Sequence, residues 1–295
     1  MITRRGFVGG AAAAGCAWAI GRPTTAWATE ATQGAAQGAG GFLIGACDWS
    51  LRKDSSPEAF DVAKQIGLDG VQISLGRVAN DMHLRKPEVQ KQYADKLAET
   101  GLKIASLAIG EMNNVPLKSD ERAAQWLMDS IDVCRAMKID IVMPAFFGKG
   151  ALDMSNTAEI DVVVARLKEA APKAEKAGVT IGLENYLSAE ENMRLIDRVG
   201  SPALAVYYDV GNSMKMGYDI DREIRQLGKL VCQVHVKDGK TPLGEPGQID
   251  FKKVREALDA IGYRGWLVLE STAPGGPEAS YPAQAKFLRE IFPRG

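Results

Sequence analysis

Short apolar runs alternate with longer amphipathic stretches from Phe42 to the end of the chain, and this alternation is the strongest constraint on the fold. Eight apolar runs have the length and composition of β-strands. They cover 43–50, 70–75, 104–109, 141–147, 180–186, 204–210, 231–237 and 265–271. Amphipathic patterns between them predict crossover helices, for example over 57–66, 87–100, 120–137, 158–177 and 251–261. Strands that alternate with helices in this way form a parallel sheet.

The length of the strand-helix region decides between two architectures. Residues 42–292 come close to the roughly 250 residues of a (β/α)₈ barrel, so one domain accounts for 42–295. The alternative, a doubly wound open sheet, carries a glycine-rich phosphate loop after its first strand. This chain has Cys47-Asp48-Trp49-Ser50-Leu51 there instead. We therefore predict an α/β fold with a single (β/α)₈ TIM barrel.

The residues before the first strand have the features of an export leader. Thr3-Arg4-Arg5-Gly6-Phe7-Val8 leads into an uncharged run rich in Gly and Ala, and Ala26-Trp27-Ala28 has the small-x-small pattern of a cleavage site. We predict a twin-arginine (Tat) signal peptide over 1–28 and a flexible linker over 29–41, which makes the protein periplasmic and a client of the Tat export machinery. The apolar run is shorter than the roughly 20 residues of a membrane span, so no stable membrane anchor is expected after cleavage.

Charge and cysteine content narrow the function classes. Lys and Arg total 36 against 37 Asp and Glu, a formal net charge of −1, so the chain has no overall field that would attract nucleic acid or an anionic membrane. A near-neutral charge fits a small-molecule partner better than nucleic acid or a membrane. Cys16 lies in the leader, where lipidation is an alternative to cleavage. Cys47, Cys134 and Cys232 stand among apolar neighbours and are predicted to be buried free thiols.

Ionisable side chains end the last four predicted strands. Successive strand residues alternate between the barrel interior and the helix layer, so Gln233, His235 and Lys237 share the inward face of 231–237. Inward rows on the other three strands end at Glu184, Asp209 and Glu270. Barrel active sites are built at the C-terminal ends of strands, where these groups should converge.

The convergence predicts a metal site. A single strand-end Glu is as often a helix cap or an ion-pair partner, and a single buried His is often a satisfied core residue. Three carboxylates together require a compensating charge, however, which one divalent cation supplies. One imidazole and three carboxylates form an oxygen-rich ligand set that favours Mn²⁺, with Mg²⁺, Co²⁺ or Zn²⁺ as alternatives.

Four sequence segments carry a family resemblance: Gly182-Leu183-Glu184-Asn185, Tyr208-Asp209-Val210-Gly211-Asn212, Val234-His235-Val236-Lys237-Asp238 and Leu269-Glu270. Together they resemble the sugar phosphate isomerase/epimerase family, the xylose-isomerase-like TIM barrels. The resemblance implies that Glu184, Asp209, His235 and Glu270 bind the metal. It also implies that Glu184 and Glu270 are the catalytic acid/base pair, moving a proton beside a carbonyl while the metal stabilises an enediolate.

Four residues on the same face of the predicted barrel are candidate substrate contacts: Lys237, Asn212, Glu111 and Trp49. Many members of the family carry His where this chain has Asn212, and Asn does not titrate near neutral pH. A proton shuttle expected at that position is therefore missing. Asn212 has a structural alternative as a turn cap, Lys237 as a solvated strand end, and Glu111 and Trp49 as packing residues.

Three functions stay open at this point. The first is a metal-dependent isomerase or epimerase of an unphosphorylated sugar or sugar derivative, because phosphosugars are mainly cytoplasmic and this chain carries an export leader. The second is a lyase or dehydratase acting on a keto-sugar or 3-keto-glycoside, and the third is a non-catalytic periplasmic sugar-binding barrel. An apurinic endonuclease, which needs a multinuclear zinc site rich in His, is disfavoured because the chain has only two His. The oligomeric state is open, a homo-oligomer included.

Overall fold

The computed structural model describes residues 41–295, and in them the predicted barrel is confirmed. Eight parallel strands close into one barrel in chain order, with β8 paired back to β1. The strands are β1 (Leu43–Cys47), β2 (Gly70–Ser74), β3 (Lys103–Ile109), β4 (Ile141–Pro144), β5 (Thr180–Leu183), β6 (Leu204–Asp209), β7 (Val231–Val236) and β8 (Trp266–Leu269). The predicted signal peptide and the linker up to residue 40 lie outside the described residues.

Helices follow the strands and form the outer layer of the barrel. They are α1 (Ala59–Ile66), α2 (Pro87–Thr100), α3 (Glu121–Met137), α4 (Thr157–Ala177), α5 (Ala189–Val199), α6 (Val210–Lys215), α7 (Ile220–Leu227), α8 (Phe251–Ala260) and α9 (Pro277–Ile291). Several end at a glycine in the left-handed conformation, as α1 does at Gly67 with a φ of 88°. Within 41–295, no helix has both the length and the apolar composition that crossing a membrane requires.

Seven of the eight strands end earlier at the C-terminal face of the barrel than the apolar runs suggested, and β3 ends where predicted. β1 stops at Cys47 because the chain turns around the buried carboxylate of Asp48. Oδ2 of Asp48 accepts hydrogen bonds from the backbone N–H of Ser55 at 3.1 Å and of Ser74 at 2.7 Å. The Asp48 carboxylate thus accepts one backbone donor from its own loop and one from β2, and these two bonds fix the loop after β1. That loop carries Trp49 into the mouth of the barrel.

The barrel interior contains a polar layer directly beneath the C-terminal face. Gln72 on β2 donates from Nε2 to Ser106 Oγ on β3 at 3.0 Å, and Gln233 on β7 donates to the same oxygen at 3.2 Å. All three residues are fully buried. Bonds that cross the barrel confirm that polar residues of β2 and β7 alternate inward. The predicted free thiols Cys47, Cys134 and Cys232 are also confirmed as unpaired and buried.

The two ends of the described barrel meet at the opposite, N-terminal face. The N–H of Phe42 donates to the carbonyl of Pro293 at 3.1 Å, and the rings of Phe42 and Phe292 pack edge to face with centroids 5.2 Å apart. Arg289 on α9 donates from Nη1 to the carbonyl of Phe42 at 2.9 Å. These contacts close the base of the barrel and leave the other end to the site.

Candidate metal centre

The four predicted ligands converge at the C-terminal mouth of the barrel. Glu184, Asp209, His235 and Glu270 each offer a ligand atom, and these atoms all lie within 4.8 Å of one another. Asp209 and His235 are direct neighbours in the register of β6 and β7. Glu184 continues β5 through a bridge to Ala145, and the N–H of Glu270 donates to the carbonyl of Val236 at 3.2 Å. Backbone pairing of the sheet therefore fixes the spacing of the set.

Asp209 is oriented by the helix that begins behind it. Its Oδ1 accepts a hydrogen bond from the N–H of Asn212 at 2.8 Å, which caps the first turn of α6. With one oxygen fixed by the helix, Oδ2 faces the other ligands. Gly211 lies within this turn because a Cβ there would stand 2.4 Å from Cγ of Lys237. The Asp-Val-Gly-Asn segment thus combines a ligand, its cap and the space for a neighbouring lysine.

His235 presents Nδ1 to the carboxylates and Nε2 to the barrel interior. Nδ1 lies 2.7 Å from Glu184 Oε1, 3.8 Å from Asp209 Oδ2 and 3.7 Å from Glu270 Oε2. On the other side of the ring, Nε2 lies 2.7 Å from Oε1 of Gln72. An amide oxygen only accepts, so Nε2 carries a proton, and this tautomer leaves Nδ1 as the ligand atom when the ring is neutral.

Gln72 is held in the orientation that this assignment requires. Its Nε2 donates to Ser106, so its Oε1 must face His235 and the thiol of Cys47, which donates to it at 3.2 Å. Burial, with the charges of Glu270 and Glu184 next in importance, raises the pKa of Cys47 well above its ordinary value, which keeps the thiol protonated as a donor. A metal-ligating histidine commonly has its second nitrogen fixed by such a partner.

Lys237 and Trp49 complete the contacts around the carboxylates. Nζ of Lys237 lies 2.7 Å from Asp209 Oδ2 and donates to Glu270 Oε2 at 2.5 Å. The indole Nε1 of Trp49 donates to the other oxygen of Glu270, Oε1, at 3.1 Å. Both oxygens of Glu270 are therefore held, one from β7 and one from the loop after β1.

The mutual electrostatics of the cluster shift several pKa values. Burial is the main cause that raises the pKa of Glu184 to about 7, and nearby Glu270 adds to it while His235 opposes it. Burial opposes the charged form of His235, but the carboxylates of Glu184 and Glu270 outweigh it and raise the pKa of the imidazole. For Glu270, burial is outweighed by the positive charges of His235 and Lys237, which lower the pKa of this carboxyl. The cluster as a whole binds positive charge strongly.

The residues fit a divalent cation. Oδ2 of Asp209 is buried and finds no donor in hydrogen-bond geometry, although the ammonium of Lys237 is close to it. Lys237 supplies one positive charge to a cluster of three carboxylates, so negative charge remains that a divalent cation would compensate. Oxygen ligands with one imidazole are a donor set suited to Mn²⁺ or Mg²⁺. Glu184, Asp209, His235 through Nδ1, and Glu270 would hold the ion.

A cleft of about 170 Å³ opens above the cluster. Glu184 and Glu270 line its floor, and Trp49 and Phe147 form aromatic walls. Phe147 packs against Tyr186, with ring centroids 4.7 Å apart. Apolar walls with a few convergent polar groups are the usual composition of a small-molecule site.

The predicted substrate contacts have different positions in the structure. Trp49 lines the cleft and contacts Glu270. Lys237 is next to the ligands themselves. Asn212 is buried in α6, where its backbone N–H donates to the capping side chain of Asp209. Glu111 lies in the turn after β3, where its Oε1 is 3.6 Å from Nη1 of Arg77. Their roles in substrate binding stay predictions.

Two residues that the sequence analysis did not select belong to the site. Gln72 could have been found by the same inward alternation that identified His235, since Gln72 and Ser74 occupy alternate positions of β2. Arg77 lines the cleft from the loop after β2. No periodic pattern marks a loop residue, so its position required the structure.

The fold and the strand-end site define the class of protein. Residues 60–291 match the family model described as the xylose isomerase-like TIM barrel, and the chain belongs to this family. Among its sequence relatives, the 2-epi-5-epi-valiolone 7-phosphate 2-epimerase of Actinoplanes sp. is 25% identical and aligns with 83% of this chain and 93% of its own length. The L-ribulose-5-phosphate 3-epimerase of Salmonella typhi is 26% identical over 72% of this chain and 81% of its own.

Solved structures show the same fold. The D-allulose 3-epimerase from Methylomonas sp. superimposes with a TM-score of 0.71 at 18% sequence identity. The alignment covers 85% of this chain and 98% of that one. The likeness thus extends over the whole barrel.

Proposed function

We propose that this protein is a divalent-metal-dependent epimerase or isomerase of a sugar or sugar derivative, with Mn²⁺ as the favoured ion. The observation that carries the proposal is that ligand atoms of Glu184, Asp209, His235 and Glu270 converge within 4.8 Å of one another, with Glu184 and Glu270 lining an open cleft. Membership of the xylose isomerase-like family supports it, as do the sequence relatives, which are named as epimerases.

The reaction requires a proton to leave and return at a carbon beside a carbonyl. When bound, the cation would polarise the carbonyl and stabilise the negative charge that develops on its oxygen. Glu184 and Glu270 both line the cleft, so one carboxylate can take the proton and the other, as the acid, can return one to the opposite face of the carbon. Return to the opposite face inverts that carbon, which is epimerisation.

Neighbouring residues hold this pair in position. Trp49 and Lys237 each donate to a different oxygen of Glu270, which restricts the rotation of its carboxylate. Gln72 fixes the ring of His235, and His235 in turn contacts Glu184. The aromatic walls formed by Trp49 and Phe147 limit the access of water to the reacting carbon.

Deuterium exchange tests the proposal directly. The full chain, loaded with Mn²⁺, is incubated in D₂O with a panel of ketoses and 3-keto-glycosides, and deuterium incorporation and products are followed by NMR. We expect exchange at the carbon beside the carbonyl together with an epimer or isomer. Loss of a β-substituent after exchange would instead identify a lyase. No exchange with any substrate by a metal-loaded protein would refute the proton-transfer mechanism.

The variant Glu184→Gln separates catalysis from binding. We expect exchange to fall by about 10²–10⁴-fold, the usual contribution of one positioned acid/base group, while metal content measured at saturating Mn²⁺ remains substantial. Glu190→Gln, an exposed carboxylate in the first turn of α5, is the matched control. Equal turnover by Glu184→Gln and the control would contradict the assigned role.

Export by the twin-arginine pathway is part of the proposal and rests on residues 1–28 alone. A periplasmic fraction should contain a protein whose N-terminal sequence begins at Thr29. Replacing Arg4 and Arg5 by Lys should retain the precursor in the cytoplasm. A periplasmic product from the double-lysine variant would contradict this pathway.

A further inference from the structure

We propose that the cleft selects uncharged sugars over sugar phosphates, because the guanidinium of Arg77 at its rim is already paired with two carboxylates. The inference rests on the proposed function, since it names the substrate class of the same site. Two features support it: an ion-pair cluster formed by Arg77, Asp54 and Glu111 at the rim, and a loop after β7 in which a carboxylate already takes two backbone donors.

The rim cluster lies where the far end of a substrate would extend. In a closed barrel of eight strands, β2 and β3 stand across the mouth from β6 and β7. Arg77 follows β2, whereas the metal ligands follow or end β5 to β8. A sugar whose carbonyl end lies over Glu184 and Glu270 therefore extends towards Arg77, which lines the same cleft.

Arg77 is paired with two carboxylates, hydrogen-bonded to Asp54 and close to Glu111. Its Nε donates to Asp54 Oδ2 at 2.8 Å, and Nη2 contacts the same oxygen. Its Nη1 lies 3.6 Å from Glu111 Oε1, and the Glu111 side chain is only 12% exposed. Of the described residues that line the cleft, Arg77 is the only Lys or Arg. Two carboxylates and one guanidinium leave the cluster with a net charge of −1.

Backbone N–H groups after β7, a second place where a barrel could bind phosphate, are also already hydrogen-bonded within the protein. Barrel enzymes commonly bind phosphate with backbone N–H groups of the loops after strands seven and eight. Here Asp238 Oδ2 accepts the N–H groups of Gln248 at 2.8 Å and Ile249 at 3.0 Å in the loop after β7. After β8, α9 begins with Pro277, which has no N–H, followed by the acidic Glu278. An internal carboxylate thus occupies the place of an external anion.

At the Arg77 side of the cleft a phosphate group would therefore meet a cluster with net negative charge, and after β7 two backbone donors are already taken. Phosphate monoesters carry about −1.5 to −2 charges at neutral pH, and like charges in a partly desolvated cleft repel more strongly than in bulk water. Hydroxyl groups carry no charge and meet no such penalty. The geometry points to a neutral, hydroxyl-rich substrate end at the rim.

The test compares D-fructose with D-fructose 6-phosphate, and D-ribulose with D-ribulose 5-phosphate, on the Mn²⁺-loaded full chain at low ionic strength. Deuterium exchange gives kcat/KM, and calorimetry gives the affinity for each compound. We expect at least about a tenfold preference for the unphosphorylated member of a pair, reduced by added salt. A preference for the phosphate in turnover or in affinity would overturn the proposal.

The double variant Asp54→Asn/Glu111→Gln removes both charges but keeps an oxygen at each position. We expect it to shift the preference towards the phosphate by about tenfold or more, and Glu111→Gln alone by about threefold. The control Asp95→Asn/Glu99→Gln makes the same charge change on the exposed face of α2 and should leave the preference unchanged. Equal effects of the two double variants would also overturn the proposal.

The proposed function and this inference fail in different ways. If no ketose exchanges deuterium in the wild type, the proposed function fails, and the calorimetric comparison still decides the charge preference. If the phosphates exchange faster than the free ketoses, the proposed function stands and the charge selectivity fails.

Discussion

Asp48 should make the stability of this protein fall as the pH rises from 4 to 8. The carboxyl is fully buried, and burial is the largest cause that raises its pKa to about 7 from the ordinary value of 3.8, despite the opposing hydrogen bonds from Ser74. Between these two values the folded form keeps a proton that the unfolded form has lost. The folded state is therefore favoured at low pH, and this contribution is lost as the pH rises through about 7.

The size of the effect follows from the difference between the two pKa values. Each pKa unit corresponds to about 1.4 kcal/mol, so the difference of about three units contributes about 4 kcal/mol to the free energy of unfolding. No reduction for solvent screening applies, because Asp48 is fully buried. The variant Asp48→Asn should lack this dependence. Its amide can retain the bonds by accepting from Ser74 and Ser55 through oxygen and donating to Ser74 Oγ through nitrogen.

Urea unfolding of the chelator-treated full chain at pH 4, 6 and 8 measures this difference. Circular dichroism and tryptophan fluorescence should be followed together, since coincident curves justify a two-state treatment. The wild-type free energy of unfolding should fall by about 4 kcal/mol relative to that of Asp48→Asn across this range. Asp61→Asn, a partly exposed carboxylate on α1, is the control and should follow the wild type. Parallel curves for the wild type and Asp48→Asn would refute the reasoning.

Three further variants test the metal centre. Gln72→Leu should weaken Mn²⁺ binding by about 10–100-fold in calorimetry, because His235 loses the partner of its Nε2; unchanged affinity would show that the tautomer is fixed otherwise. Lys237→Met should destabilise the chelator-treated protein by about 3 kcal/mol, because buried carboxylates lose their partner. Added Mn²⁺ should then raise the melting temperature of this variant more than that of the wild type. Equal rises would contradict the view that Lys237 and the metal ion neutralise the same carboxylates. Trp49→Phe should lower kcat for deuterium exchange by about tenfold with metal content unchanged, because Glu270 loses one of its two donors; a change confined to KM would place Trp49 in substrate binding alone.

The predictable part of this site is the part that the sheet organises. The period of two along each strand was sufficient to orient His235 and its neighbours, because a parallel barrel strand has only an inward and an outward face. The predicted ends of the strands were less accurate. The run 204–210 looked like strand throughout, but the strand ends at Asp209, whose side chain caps α6. A ligand that is also a helix cap looks the same in sequence as the last residue of a strand.

Residues outside the strands were not predictable in the same way. Trp49 was selected for its aromatic character, but its contact with Glu270 depends on how Asp48 folds the loop after β1. Arg77 was missed because its significance comes from Asp54 and Glu111, which lie on two other loops. Contacts between loops of different strands depend on three-dimensional closure of the barrel, which no local pattern in the chain encodes.

The pairing of Phe42 with Pro293 has a consequence for how this chain can be extended. Both ends of the barrel domain leave from the face opposite the carboxylates, joined there by a backbone hydrogen bond. A tag or a domain fused after Gly295 is therefore attached about one strand length away from the cleft, on the order of 15–20 Å. The attachment point thus lies on the face opposite the cleft mouth, which is lined by the loops that follow the strands.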